Sequence, residues 1–91
     1  MLISMIKTDK EQSNDIVTLN WSANDENIED YNIYYSENDQ PFVLWLSNTT
    51  KTSATFKGQT GTTYRFSVTV RDKRGSSERL DESKFIIVIF N

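Results

Sequence analysis

The stretch Thr63-Tyr-Arg-Phe-Ser-Val-Thr-Val-Arg71 decides the fold of this chain. Tyr64, Phe66, Val68 and Val70 are apolar or aromatic, and the residues between them are polar. Successive side chains of a β-strand point to opposite faces of the sheet. This alternation therefore predicts a strand with one face in a hydrophobic core and the other facing outward.

Six further strands are predicted around it, because apolar runs are separated by turn-forming residues. They are Leu2 to Ile6, Ile16 to Trp21, Tyr31 to Tyr35, Phe42 to Leu46, Ser53 to Phe56 and Lys84 to Phe90. Pro41 has no N–H for a sheet ladder, so the strand after it is expected at an edge. No segment has convincing helical periodicity, and the sequence predicts an all-β sandwich or barrel of seven strands.

Two connections carry specific expectations. The polar segment from Ser22 to Asp30 is predicted to be a loop, with Ile28 packed onto the core. Gly58 and Gly61 are predicted to supply left-handed backbone in the turn after the fifth strand, because glycine adopts that conformation without a steric penalty.

The composition limits both size and function. A chain of 91 residues suits one hydrophobic core, so a single domain over residues 1–91 is expected. The net charge of −3 argues against a nucleic-acid partner. The apolar stretches are far shorter than the about 20 residues that span a bilayer, so membrane insertion is not expected.

The residue types also argue against catalysis. The chain has no histidine and no cysteine, which removes the commonest general base and the thiol nucleophile. It also has no nucleophile elbow and no glycine-rich phosphate loop. We therefore expect a protein that is not an enzyme and needs no cofactor.

Four short motifs occur along the chain in a characteristic order. They are Leu19-x-Trp21, Tyr31-x-Ile33-x-Tyr35-Ser36, Thr55-Phe56-x-Gly58 and Gly61-x-x-Tyr64-x-Phe66-x-Val68. This order resembles a fibronectin type III domain, in the variant common in large bacterial surface and secreted proteins. The resemblance covers about Ile3 to Ile89 and implies a seven-stranded antiparallel, immunoglobulin-like β-sandwich.

The resemblance also implies how the core is built. Trp21 is expected across the core between the two sheets. The Tyr64 hydroxyl is expected to bond to backbone a few residues upstream, as a tyrosine corner. The predicted core residues are Leu19, Trp21, Tyr31, Ile33, Tyr64, Phe66 and Val68. Within the last strand, the segment Phe85 to Phe90 is apolar on both faces, so either a neighbouring domain or chain covers it or its end bends back over the sandwich.

Two charged loops are placed at one end of the sandwich by the resemblance. The acidic loop offers oxygen ligands that suit calcium, although the spacing of a calcium-binding loop is absent. Its residues are Asp25, Glu26, Glu29 and Asp30. The basic loop contains Arg71, Lys73 and Arg74, which are weak candidates for contact with a protein ligand. A simpler interpretation of these charges is that the two loops are joined by ion pairs.

Two aromatic residues and two asparagines are the remaining candidates. Trp45 and Tyr34 are predicted to point away from the core, where they would stack on a sugar ring or pack on each other. Asn20 and Asn48 lie in Asn-x-Ser/Thr sequons, which matter only in a glycosylating secretory route.

These observations favour a spacer or interaction module of a larger secreted or cell-surface protein, with neighbouring domains as its partners. A ligand-recognising module for carbohydrate or protein is the first alternative, and an accessory domain of an extracellular enzyme is another. Self-association through the apolar Phe85 to Phe90 edge is a further expectation. An extracellular or cell-surface location follows from the resemblance.

Overall fold

The computed structural model describes residues 2–12 and 15–90, which form seven β-strands. The strands are β1 (Ser4–Gln12), β2 (Ile16–Ala23), β3 (Ile28–Glu37), β4 (Val43–Thr49), β5 (Ser53–Lys57), β6 (Thr63–Asp72) and β7 (Ile86–Ile89). One sheet has the order β1-β2-β5 and the other β4-β3-β6-β7, and all neighbours are antiparallel. The predicted seven-stranded antiparallel sandwich is confirmed. Residues 1, 13, 14 and 91 of the predicted domain lie outside the described residues.

Several strands differ from the prediction at their ends. β3 begins at Ile28, so Glu29 and Asp30 belong to a strand rather than to the predicted loop. They lie in the strand because the pairing of β3 with β6 continues to Ile28, which is opposite Asp72. Ile28 packs on the core as expected, and the strand after Pro41, β4, lies at a sheet edge.

The core lies between the two sheets. All seven residues predicted from the sequence are buried in it, together with Val17, Phe56, Val70, Val88 and Phe90. The Trp21 indole N–H donates to the carbonyl oxygen of Lys51 at 2.7 Å, which satisfies its polar atom. A buried aromatic N–H needs such a partner, so this hydrogen bond fixes the orientation of the Trp21 ring in the core.

Phe56 of β5 is the centre of the aromatic packing. Its ring lies 5.2 Å from the rings of Tyr35 and Trp45, and 4.9 Å from those of Tyr64 and Phe66. These four rings belong to the opposite sheet, and all four meet Phe56 in tilted or edge-to-face geometry. Such arrangements add to the energy of apolar burial. Phe56 therefore joins the two layers.

The expected tyrosine corner is present at the end opposite the charged loops. The Gln59 backbone N–H donates to the Tyr64 hydroxyl oxygen at 3.2 Å. Beyond it, Phe90 donates its N–H to the Thr62 carbonyl oxygen and accepts from the Gly61 N–H, at 3.1 and 2.7 Å. These bonds tie the end of the last strand to the turn before β6.

Gly58 has a different role from the one predicted. Only Gly61 of the two glycines has a positive φ, of 85°. A Cβ on Gly58 would lie 2.4 Å from the Phe90 ring and 2.7 Å from the Tyr64 ring. Gly58 is needed because two buried rings approach its backbone, and not because of its backbone angles.

Substitution of Gly58 by alanine is expected to lower the free energy of unfolding by about 1–3 kcal/mol, because the added methyl group overpacks fully buried rings. Chemical denaturation followed by tryptophan fluorescence measures this loss. Gly61→Asn is the matched control, because nothing lies near its Cβ and asparagine tolerates a positive φ. Equal effects of the two changes would contradict the packing role of Gly58.

Candidate functional site

The loops at one end of the sandwich form its most polar surface, which we call the loop pole: residues 24–27, 50–52 and 73–76. Hydrogen bonds hold two of the loops together, because the Lys73 N–H donates to the Asn27 carbonyl oxygen at 2.9 Å. The Asp72 carboxylate accepts from the N–H groups of Arg74 and Ser76, both at 2.9 Å. The basic loop is therefore a tight, internally bonded turn.

Asp30 and Arg71 form an ion pair with two hydrogen bonds next to the loop pole. They are cross-strand neighbours on β3 and β6, and the guanidinium donates from Nε at 3.1 Å and from Nη2 at 2.5 Å. Asn48 Nδ2 adds a third bond to Asp30 at 3.2 Å. The Arg71 hydrogen bonds hold the pKa of the Asp30 carboxyl below its usual value, and they raise the pKa of Arg71.

A second ion pair crosses between the loops. Arg74 Nη2 lies 3.0 Å from Asp25 Oδ2, and the Asn27 N–H donates to Asp25 Oδ1 at 2.8 Å. The Asn27 hydrogen bond and, after it, the Arg74 charge lower the pKa of Asp25. Because the Arg74 side chain is two-thirds exposed, solvent screens this pair more than the Asp30 pair.

The four acidic residues considered for calcium are divided among different partners. Asp30 binds Arg71, Asp25 binds Arg74, and Glu26 and Glu29 are exposed. Within residues 2–12 and 15–90, no group of three metal-ligating side chains lies close enough to hold an ion. Asp25 and Arg74 form a predicted ion pair between the two loops, whereas Asp30 and Arg71 pair across strands β3 and β6.

The loop pole also contains a groove of about 480 Å³. It is lined by Ile28, Glu29, Tyr31, Thr50, Thr52 and Lys73. Burial raises the pKa of the Tyr31 phenol, which is protonated at physiological pH in any case and can take part in hydrogen bonds. The groove offers hydroxyl groups and one charge of each sign, which suits contact with a polar ligand.

The two aromatic residues considered for sugar binding are not brought together. Trp45 packs on the core, with its ring perpendicular to Phe56 and 6.3 Å from Phe66. Tyr34 lies between two core-facing residues of β3 and so faces the other side of the sheet. The predicted outward position of Trp45 is therefore wrong.

A β-bulge explains the position of Trp45. Ile33 pairs with Leu46, but Tyr34 pairs with Leu44, which leaves Trp45 as an extra residue in β4. A bulge breaks the alternation of a strand and re-aims a side chain. Leu44 is half exposed as a result, and Trp45 turns inward.

The two sequon asparagines lie in different settings. Asn20 is half-buried in the middle strand of the three-stranded sheet, opposite Lys7 and Ser53. Asn48 is exposed and has a φ of 52°, and its Nδ2, the atom to which a glycan is attached, donates to Asp30. Asn48 thus contributes to the Asp30 ion pair.

Glu78 is a structural residue that the sequence pattern did not reveal. Its carboxylate accepts from the backbone N–H groups of Ser4 and Val70, both at 3.2 Å, and from the Ser4 hydroxyl. Lys84 Nζ donates to the Ser4 carbonyl oxygen at 2.7 Å. These two side chains hold the start of β1 against β6. They lie in a long polar connection with no periodicity, so the sequence gives no sign of their role.

Comparison with known proteins identifies one family. Residues 4–86 match the family model described as Fibronectin type III domain. No curated protein matches the chain. Among the residues that the structure describes, no helix is long and apolar enough to cross a membrane.

Asp30→Asn is expected to lower the free energy of unfolding by about 1 kcal/mol at pH 7, because it weakens charge-assisted hydrogen bonds to the half-exposed Arg71. Urea denaturation measures the loss. Asp25→Asn is the control, and its loss should be smaller because its partner is more exposed. A larger loss in the control would contradict the ranking of the two pairs.

The stability of the protein should fall as the pH drops below about 4. The folded-state pKa of Asp30 lies below its ordinary value of 3.8, so the unfolded chain binds more protons in acid. The stabilisation is complete above this value and is lost as the pH falls through the folded-state pKa. Urea denaturation from pH 7 to pH 2 should show a shallower fall for Asp30→Asn than for the natural sequence. Identical pH profiles would contradict the assignment.

Trp45→Ala is expected to destabilise the fold by about 2–3 kcal/mol, because it removes a partly buried ring from the cluster around Phe56. Thermal unfolding followed by circular dichroism measures this loss. Tyr34→Ala on the outer face is the comparison, with an expected loss of less than about 1.5 kcal/mol. An unchanged midpoint for Trp45→Ala would contradict its place in the core.

Proposed function

This chain belongs to the fibronectin type III family, and we propose that it acts as a non-catalytic spacer in a larger secreted or cell-surface protein. Domains of this family typically serve as spacer or interaction modules. The proposed partners are the neighbouring domains of the same polypeptide, which the sandwich holds at a fixed distance.

The observation that carries this proposal is the position of the first and last strands. β1 begins at the loop pole, where the Ile3 carbonyl oxygen accepts from the Asn24 N–H. The polypeptide leaves β7 at Phe90, which bonds to Gly61 and Thr62 at the other end. The domain is 42 Å long in its longest dimension. A polypeptide that passes through it therefore enters at one pole and leaves at the other.

Both points of attachment are held firmly, which a spacer requires. At the loop pole, Ser4 is bonded through its backbone and its side chain to Glu78 and Lys84. At the other end, the buried Phe90 ring packs against Tyr64 at 5.6 Å. Forces applied through neighbouring domains would thus act on hydrogen-bonded strands and not on loose segments.

The chemistry of the loop pole fits a role without catalysis. The chain has neither histidine nor cysteine, and its two buried aspartates, Asp30 and Asp72, bind Arg71 and backbone N–H groups. These carboxylates fasten strands and turns to each other. An extracellular or cell-surface location, and the bacterial variant of the family, are part of this proposal.

Ligand recognition at the loop pole is the second candidate. The groove of about 480 Å³ favours it, since hydroxyl groups and opposite charges line one concave surface. A protein or peptide ligand suits this groove better than a sugar ring, because the Tyr31 ring is buried and Trp45 lies in the core. The same groove would serve an accessory domain of an extracellular enzyme.

A domain exchange in the parent protein separates the two candidates. If the domain is a spacer, an unrelated β-sandwich of the same length should preserve the activity of the parent, and a flexible glycine-serine linker should not. Loss of activity with both replacements would contradict a pure spacer. Labelling of intact host cells with an impermeant reagent tests the location, and a domain protected until the cells are lysed would contradict it.

A further inference from the structure

The groove at the loop pole contains a buried polar side chain without a hydrogen-bond partner. Tyr31 lines this groove of about 480 Å³ and is only 6% exposed. Its phenol hydroxyl forms no hydrogen bond within the described residues, and burial alone acts on its pKa. Most buried hydroxyl groups in proteins are hydrogen-bonded, because an unmade bond is costly. The Tyr31 hydroxyl is therefore a vacant hydrogen-bonding position.

This hydroxyl is accessible from the groove. Within the part of the chain that the structure describes, Arg65 Nε is the side-chain atom that is both closed to solvent and without a hydrogen bond. The Tyr31 hydroxyl also has no partner there, so it is not closed to solvent. Because the rest of the side chain is buried and lines the groove, the hydroxyl opens into the groove. A ligand that enters the groove can reach it.

Two other aromatic residues of the core have their polar atoms bonded within the protein. The Trp21 indole N–H donates to the Lys51 carbonyl oxygen at 2.7 Å, and the Tyr64 hydroxyl accepts from the Gln59 N–H at 3.2 Å. Both contacts complete the packing of the sandwich. The Tyr31 hydroxyl lacks such a contact, so a partner from outside the domain would supply it.

The charges around the groove favour an anionic group beside Tyr31. Lys73 is exposed, and its ammonium forms no ion pair with the described residues. Its backbone N–H donates to the Asn27 carbonyl oxygen, which fixes the base of the side chain at the pole. Glu29, the acid of the groove, lies near a different cation, because its charge acts on the Arg71 guanidinium. The Lys73 ammonium is thus the available charge of the groove.

We propose that this groove binds an acidic side chain of a protein or peptide, whose carboxylate accepts hydrogen bonds from the Tyr31 hydroxyl and the Lys73 ammonium. A carboxylate has two oxygens and accepts from several donors at once. The hydroxyls of Thr50 and Thr52 are further donors on the wall of the groove, and Ile28 offers an apolar contact to the CH₂ groups of the ligand. This ligand class rests on ligand recognition at the loop pole, the second candidate function.

A carboxylate suits this groove better than a phosphate group. A phosphate carries about −1.5 to −2 charges, and the groove offers one ammonium beside the acidic Glu29. The net charge of −3 does not attract an acidic ligand over a long distance, so affinity depends on the short contacts in the groove. Because Lys73 is exposed and screened by solvent, we expect a dissociation constant on the order of 1 mM for a short peptide.

An NMR titration of the ¹⁵N-labelled domain tests the ligand class. The probe is a blocked peptide with two central glutamates between glycines, and it should shift the amide signals of Thr50, Thr52 and Lys73. The matched probe has glutamines in place of the glutamates. It should bind about fivefold more weakly, because hydrogen bonds to a charged acceptor are stronger than those to a neutral one. Equal affinities of the two peptides would overturn the preference for a carboxylate.

Three variants test the assigned contacts. Tyr31→Phe removes the hydroxyl but keeps the ring in the core, and Lys73→Gln removes the charge. Each should weaken binding of the glutamate peptide about threefold. Lys57→Gln is the control, because it changes the net charge equally at the end of the sandwich where Gly58 meets Tyr64 and Phe90. An unchanged affinity in Tyr31→Phe, or an equal loss in Lys57→Gln, would overturn the proposal.

Urea denaturation distinguishes a ligand contact from a structural one. Tyr31→Phe should unfold at the same urea concentration as the natural sequence or a higher one, because the lost hydroxyl has no partner within the described residues. A lower midpoint would show that the hydroxyl serves the fold and would overturn the assignment.

Failure of this ligand class differs from failure of the proposed functions. Similar shifts with both peptides would support ligand recognition at the groove and overturn its preference for acidic side chains. The absence of shifts with either peptide up to about 10 mM would overturn both the ligand class and the groove as a peptide site. The domain exchange in the parent protein tests the spacer function independently of both peptides.

Discussion

The packing of Phe56 against four rings of the opposite sheet is the contact on which this fold depends. A cysteine-free sandwich cannot join its layers covalently, so side-chain packing has to set their spacing and orientation. Edge-to-face contacts have a preferred geometry as well as a favourable energy. Phe56 thus aligns Tyr64 and Phe66 of β6 with Trp45 of β4. The positions of the loops at both poles follow from this alignment.

The main hydrogen bonds of the polar side chains lie at the two ends of the sandwich. At the loop pole, Asp72 and Asp30 bind a turn and a neighbouring strand, and Glu78 holds the start of β1. At the other end, the Tyr64 hydroxyl and the backbone of Phe90 complete the turn around Gly61. Each end is fixed by hydrogen bonds to buried or partly buried groups, which is where such bonds are most costly to lose. This construction suits the proposed role as a spacer.

The edges of the two sheets differ in regularity and charge. The three-stranded sheet has bulged or charged edges, but the four-stranded sheet ends on the neutral strand β7. The groove at the loop pole and the β7 edge are separate surfaces, one polar and one apolar.

The sequence alone determined the number of strands and most of the core. Trp21, Tyr64 and Phe66 were predictable because strand alternation assigns each residue to a face before any partner is known. The ion pair between Asp25 and Arg74 was also expected, because the resemblance places the two charged loops at one end. The tertiary structure alone decided the inward turn of Trp45, the need for Gly58 and the role of Glu78. A bulge depends on pairing with another strand, a close approach depends on rings distant in sequence, and a carboxylate bond to β1 depends on residues more than seventy positions apart. Local periodicity contains no information on any of these three contacts.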